Sequence, residues 1–280
     1  MRAPVRPPPE AAEPSRGRLI SSTKEMPNVE QLAGDFWSIR GDFRIAGILN
    51  IGTQTSLVRQ SNGRFLLIDS YRPEEEELSA VRALTNGGEA IDAIVNVHPF
   101  HTLHCRVLHE LFPRATLIGT ERHHREYPDL PWSKDRIEVT STQERFGADL
   151  EFAIPSGVDF VCRDERVHVG SVLVRHRASR ILHVDDTINV FTPPALLRPL
   201  LPSPRLRFHP MLARALGDRA DAADAFEQWA LGLAEAWADT TVVCAAHSAI
   251  HRPRSFREEM KAALAAVKPV LALHRRRFAG

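Results

Sequence analysis

The stretch Ile91-Asp-Ala-Ile-Val-Asn-Val97, followed at once by His98-Pro-Phe-His101-Thr-Leu-His104, decides the reading of this chain. The first seven residues form an apolar run of strand length, and the next seven place three imidazoles at its end. Neutral imidazole is the commonest protein ligand for a metal ion, so imidazoles gathered at a strand end are candidates to hold Zn²⁺ or Fe²⁺. The chain has 13 histidines, so one cluster alone does not define a site. The case grows with Asp69, Asp186 and His247, which also stand just after apolar runs: Arg64-Phe-Leu-Leu-Ile-Asp69, Arg180-Ile-Leu-His-Val184 before Asp185-Asp186, and Thr241-Val-Val-Cys-Ala-Ala246 before His247. In open α/β sheets, sites gather outside the carboxyl ends of strands.

Working outward, Thr55–Gln60 and Arg64–Asp69 flank Ser61-Asn-Gly63, a hairpin signal. Pro73 and four consecutive glutamates open a helix that should run to about Leu84 and stop at Asn86-Gly-Gly88. Cys105–Phe112 reads as a helix ended by Pro113, and Ala115–Gly119 as the next strand. Strands follow at 149–154, 171–175 and 180–184. A helix is expected from Ala220 to Trp237, its stripe of Phe226, Trp229, Leu233 and Trp237 read as core packing, and a closing helix from Arg254 to Leu273. This alternation argues for an α/β architecture. Residues 1–30, rich in Pro, Ser, Glu and Arg, read as a flexible tail before a single domain over 31–280.

Composition narrows the function classes. With 43% hydrophobic and 25% charged residues the 280-residue chain can bury a sizeable core, and a net charge of +1 gives no electrostatic case for a nucleic-acid or membrane partner. Three widely spaced cysteines, Cys105, Cys162 and Cys244, argue against a disulfide framework and for small buried side chains in a reducing compartment. No apolar window suits a signal peptide or a membrane span, so a cytoplasmic location is expected.

In this order the features resemble the metallo-β-lactamase superfamily, from about residue 35 to the end. The hairpin closing at Asp69 resembles the family's opening hairpin. The His98–His104 run resembles its HxHxDH signature, Gly170-Ser-Val-Leu-Val174 the strand after its third-His loop, Val184-Asp-Asp-Thr187 its GDT segment, and Ala246-His-Ser248 its final GH segment. The Pro-Phe-His101 loop, the Phe112-Pro113 helix end and His176–Asp186 are most similar to a divergent branch catalogued as a domain of unknown function. The resemblance implies an αββα sandwich and a metal site of one or two ions, Zn with Fe or Mn as alternatives. It implies His98 and His101 at a first position with His168 as third ligand. At a second it implies His104 and His247 with Asp186, and Asp185 as the alternate. Asp186 and His247 would be the catalytic pair, and Asp69 would orient the His loop by accepting backbone amides.

The chain also departs from the pattern. Two residues, not one, separate His98 from His101. Leu103 stands where the signature has Asp, Ser70-Tyr71 follows the opening Asp, and Val167 holds the register of the third His, with His168 one place off. Losing a carboxylate leaves a more neutral ligand set, which favours one ion over two. Three functions are compatible: a metal-dependent hydrolase of an ester, lactone, thioester or phosphoester, a metal-free degenerate binding or scaffold module, and an iron-dependent oxidoreductase. A small-molecule substrate is expected, with pocket walls from residues 121–147 and 192–219. Oligomeric state is not legible. His123 and His124 are expected exposed, and His176 and His183 as packing or surface residues.

Overall fold

The computed structural model describes residues 28–41, 44–45, 49–50, 52–191, 205–247 and 249–279. Most of the expected tail, the proline-rich part of the 192–219 loop (residues 192–204) and Ser248 of the final motif lie outside the described residues. In chain order the first strands are β1 (Val29–Ala33), β2 (Phe36–Gly41), the short β3 (Arg44–Ile45) and β4 (Leu49–Asn50), β5 (Thr53–Arg59), β6 (Phe65–Ile68), β7 (Ile91–Val95), β8 (Thr116–Gly119) and β9 (Trp132–Arg136). Then come β10 (Leu150–Ala153), β11 (Leu173–His176), β12 (Ile181–Val184), β13 (Ile188–Phe191), β14 (Arg205–Phe208), β15 (Val242–Ala245) and β16 (Ile250–His251). One seven-stranded sheet has the order β1-β2-β5-β6-β7-β8-β9, and a five-stranded sheet the order β10-β11-β12-β15-β16.

The hairpin β5–β6 turns at Gly63, whose φ of 83° a side chain would strain, and the turn closes through Gln60 N donating to Arg64 O at 2.7 Å. From β6 onward the pairing becomes parallel through β7 and β8, which requires crossover helices. The first is α1 (Glu75–Leu84), begun by a capping box between Glu74 and Glu77. It ends at Thr85, followed by Asn86, Gly87 and Gly88 with left-handed φ. A Cβ on Gly88 would stand 2.6 Å from the Phe112 ring. The second is α2 (Cys105–Leu111). In the other half, α6 (Ala222–Ala236) precedes β15, which pairs parallel to β12, and α7 (Phe256–Arg277) closes the chain, capped by the Ser255 hydroxyl. Among the remaining helices, α3 (Glu121–Glu126), α4 (Thr140–Arg145) and α5 (Leu212–Ala215) are short.

Period-two alternation sorts the side chains into three layers. Leu66, Ile68, Ala93 and Val95 face Val174, Ile181, Val242 and Cys244 between the sheets. Their strand neighbours Leu67 and Ile94 turn outward to Leu78, Val81 and Leu108 of α1 and α2. Leu182, Val184, Val243 and Ala245 turn to Phe226, Leu233, Phe256 and Met260 of α6 and α7. The result is the αββα sandwich, and the Phe226–Trp237 stripe is core packing as expected. Phe226 is fully buried where α6 meets the second sheet. Phe226→Ala should therefore cost about 3–5 kcal/mol of stability, read as a lowered denaturant midpoint with an unchanged slope. A loss below ~1 kcal/mol would contradict the packing described.

Candidate metal centre

The parallel strands of both sheets end at one edge of the sandwich. β6 delivers Asp69, β7 delivers His98 and His101, β12 delivers Asp185 and Asp186, and β15 delivers His247. Asp69 sits in the left-handed region at φ 62°, and its main chain is fixed on two sides: its N–H donates to Val95 O at 2.8 Å and its carbonyl accepts from the Thr55 hydroxyl at 2.6 Å. Its Oδ1 accepts the Val97 amide at 2.8 Å, so it orients the His loop as the sequence suggests. Its Oδ2 lies 3.3 Å from His183 Nε2 and 3.9 Å from His101 Nδ1.

On the cavity side, His98 Nε2 lies 3.2 Å from Asp186 Oδ2, and His247 Nε2 lies 3.9 Å from Asp186 Oδ1. His101 Nε2 is 2.8 Å from His247 Nε2, and its ring centroid is 4.1 Å from that of His98. His247 Nδ1 donates to Gly52 O at 3.0 Å. The turn carrying His247 is held by Arg40, which donates to Ala245 O at 3.1 Å and Ala246 O at 3.3 Å. Burial, then the nearby His101, push His247 below its ordinary range, so it is neutral at pH 7. Burial pushes Asp186 up, but the hydrogen bond and charge of His98 outweigh it and keep this carboxylate ionised. Behind it lies a coupled carboxyl pair. Burial and the charge of Asp69 hold Asp185 well above the usual range. Asp69 is also pushed up by burial, yet the groups around its carboxylate, Asp185, His101 and His183, hold it well below.

Two sets of ligand atoms lie within 4.8 Å of one another: His98, His101 and Asp186, and Asp69, His101 and Asp185. Ligands about 2.1 Å from a tetrahedral ion stand about 3.4 Å apart, so spacings of this order are those a cation needs. Buried polar atoms without a well-aligned hydrogen bond, His98 Nε2, 3.2 Å from Asp186, and both Asp185 oxygens, fall within these sets, and on this ground the residues fit a divalent metal. His98 carries a constraint, because its Nδ1 accepts the Phe100 amide at 3.2 Å. That bond leaves the hydrogen of a neutral ring on Nε2, facing Asp186, and it must be released before His98 can ligate through Nε2.

His104 and His168 line the cavity outside both sets. His104 packs edge-on to Tyr71, with centroids 6.1 Å apart. His168 Nε2 donates to Glu165 O at 2.6 Å, and its ring stacks on Phe100 at 4.0 Å. The cavity has a volume of about 370 Å³, with His101, Asp186 and His247 among its lining groups and Leu103, Met211 and His209 on its walls. His209 and Met211 come from the 192–219 segment, as expected. The 121–147 segment contributes no lining residue among the described residues. Trp132 packs on His124 and Phe208 lies in the core.

Sequence reasoning misses three histidines. Spacing alone puts His183 at a packing or surface position, yet it is fully buried on the inner face of β12, between Asp69 and the Ser56 hydroxyl at 2.9 Å. The alternation of β12, with Leu182 and Val184 outward, is the available signal. His209 carries no local signal. His123 is expected exposed and is instead fully buried: its Nδ1 accepts the Thr120 amide at 3.1 Å, closing the cap of α3, and its Nε2 donates to His101 O at 3.4 Å. The polar neighbours Arg122, His124 and Arg125 hide a helix whose inward face is His123. The cysteines are free and buried as expected, and burial pushes the Cys105 thiol up to about 12.

No family model and no curated protein matches this sequence. Solved structures do. A metallo-β-lactamase from Erythrobacter litoralis, with β-mercaptoethanol in its active site, superposes with a TM-score of 0.56 at 18% identity, over 85% of this chain and 96% of that one. The metallo-β-lactamase from Hirschia baltica gives 0.54 at 16% identity, over 85% and 95%. The VMB-1 structure at pH 5.5 gives 0.57 at 14% identity, over 85% and 97%. This chain therefore has the metallo-β-lactamase fold, with a His/Asp cluster compatible with a metal ion at the sandwich edge.

Burial lowers the His123 pKa from 6.5 to about 4. Between those values the unfolded chain binds a proton that the folded one does not, so stability rises with pH. The contribution is complete above pH 6.5 and lost as pH falls toward 4, in total about 3 kcal/mol. Urea midpoints measured from pH 7 to 4 should fall less steeply in His123→Gln than in the wild type. Parallel curves would show that His123 is not the buried neutral group described.

Proposed function

We propose that this protein is a metal-dependent hydrolase acting on a small-molecule ester, lactone, thioester or phosphoester. One observation carries the reading: Asp186, His101 and His247, with fully buried His98 beside them, converge on a cavity of about 370 Å³ in a metallo-β-lactamase fold. Zn²⁺ suits the imidazole and carboxylate donors, with Fe²⁺ or Mn²⁺ as alternatives. When bound, such an ion makes a water molecule acidic enough to serve as hydroxide at neutral pH.

The chain's own groups do the rest. Asp186 stays ionised and lies beside His98, so it can hold the nucleophilic water by accepting a hydrogen bond from it. His247 is fixed by Gly52 and by the turn that Arg40 clamps, which sets where its Nε2 points. His101 is held from behind by His123 and flanked by Asp69 and Asp185, an arrangement that orients a ligand imidazole. Phe100, Leu103 and Met211 give the cavity an apolar wall beside His104, His168 and His209, which fits a substrate of mixed polarity. We place the protein in the cytoplasm on the strength of its three free, buried thiols. No helix among the described residues is long and apolar enough to cross a membrane.

Purified full-length protein should cleave at least one member of an ester, lactone, thioester and phosphodiester panel. The activity should be lost with a chelator and restored by Zn²⁺, Mn²⁺ or Fe²⁺. Asp186→Asn should lower kcat/KM by at least ~100-fold with little change in the far-ultraviolet circular dichroism spectrum. Cleavage that survives both the chelator and Asp186→Asn, or no cleavage of any class by metal-replete protein, would overturn the proposal.

A further inference from the structure

The hydrogen-bond pattern around His101 makes a demand that the cavity-side cluster does not meet. His247 Nδ1 lies 3.0 Å from Gly52 O, and a carbonyl only accepts, so the hydrogen of neutral His247 is on Nδ1. Its Nε2 is then a lone pair, and His101 Nε2, 2.8 Å away, must be the donor. A neutral His101 is left with a lone pair on Nδ1. That lone pair faces two carboxyl groups, with Asp185 Oδ1 at 3.7 Å and Asp69 Oδ2 at 3.9 Å. Asp185 is 1% exposed, and apart from its interaction with the Asp69 carboxyl no donor reaches either of its oxygens. Two buried carboxyl groups and an imidazole nitrogen that converge away from water, with only shared protons between them, make a place where a positive ion can stand in for those protons.

A fourth group completes the shell. His183 Nε2 stands 3.3 Å from Asp69 Oδ2 and 4.0 Å from Asp185 Oδ2. Its Nδ1 meets the Ser56 hydroxyl at 2.9 Å, and a hydroxyl both accepts and donates. Moving the ring hydrogen from Nε2, where it faces Asp69, to Nδ1, where Ser56 can accept it, would free the Nε2 lone pair for an ion. Four of the six distances among these groups are 3.3, 3.9, 3.7 and 4.0 Å, the last two to the two different oxygens of Asp185. Tetrahedral ligation at 2.0–2.2 Å asks for about 3.4 Å, which a contraction of a few tenths of an ångström supplies.

From this placement we infer that Asp69, Asp185, His101 through Nδ1 and His183 through Nε2 form a buried position for a divalent cation, behind the cavity and distinct from the set built on Asp186 and His247. The two carboxylates balance the charge of a dication, and two nitrogens with two oxygens suit Zn²⁺, Fe²⁺ or Mn²⁺. Asp69 and Asp185 thereby supply, from the ends of β6 and β12, the carboxylate charge that Leu103 removes from the His loop. A neutral imidazole offers one lone pair, so an ion here excludes an ion on the cavity side that uses His101 Nε2. The inference does not depend on the hydrolase reading.

The test is titration of metal-stripped full-length protein with Co²⁺, read by its visible absorption, and with Zn²⁺, read by metal content after dialysis. Four proteins are compared: the wild type, Asp185→Asn, His183→Gln and Asp186→Asn. The wild type should take up one cation per chain. Asp186→Asn should keep that cation and its spectrum, whereas Asp185→Asn and His183→Gln should each weaken binding at least about tenfold and change the spectrum. Should Asp185→Asn fail to fold, His183→Gln decides alone. A wild type that binds no cation overturns the inference. So does binding lost in Asp186→Asn as fully as in the other two, or lost there alone, which would place the ion on the cavity side and leave the hydrolase reading standing.

Discussion

A single buried carboxylate, that of Asp69, ties the site to the fold. It leaves β6 in a left-handed backbone conformation and is shielded from water on every side. Burying a charge in this way is costly unless the group is paired and hydrogen-bonded. Here the Val97 amide answers one oxygen, and His183, from the opposite sheet, answers the other. The two sheets are thus joined at the edge where both deliver their functional residues. Val97 is the last residue before the His loop, so the position of His98 and His101 follows from where Asp69 sits.

Around that anchor the polar groups form one chain through the interior. It runs from Ser56 through His183 to Asp69, reaches Asp185 and His101, and emerges through His247 and Asp186 at the cavity. In a low-dielectric interior each member constrains the protonation and tautomer of the next. Arg40 and Gln54 extend the chain to the turn that carries His247: Gln54 donates to Cys244 O at 2.8 Å, and Arg40 reaches the carbonyls of Ala245 and Ala246. Such an arrangement resists piecemeal change, because removing one member leaves its neighbours with buried, unanswered atoms.

The layered fold is legible in the sequence because its cause is local. Apolar runs at β6, β7, β12 and β15, a hairpin at Asn62-Gly63 and helix stops at Gly88 and Pro113 each act over a few residues. Together they suffice to put Asp69, His98, Asp186 and His247 at strand ends. The features that are not legible depend on contacts between distant segments. The convergence of Asp69 with His183 needs the register of β12 against β5 and β6 across two sheets. The burial of His123 depends on Trp132 and the His loop covering it, against the polar composition of its own helix. The orientations of His104, against Tyr71, and His168, against Phe100, depend on aromatic neighbours that spacing alone does not reveal. The signature's missing Asp is visible as Leu103, which is 65% exposed at the cavity wall. The two carboxylates on the inner side of His101 are not, because they come from other strands.

Both the hydrolase reading and the buried position require imidazole and carboxylate tips to enclose a cation. The most direct measurement is an anomalous difference map from a crystal of the full chain grown with Zn²⁺ and collected above and below the zinc absorption edge. A peak is expected at the sandwich edge, about 2.0–2.2 Å from a nitrogen of His101 and from at least one carboxylate of the cluster. A map without such a peak, with His101 still bonded directly to His247 and the Asp69–Asp185 pair unchanged, would contradict a metal centre here.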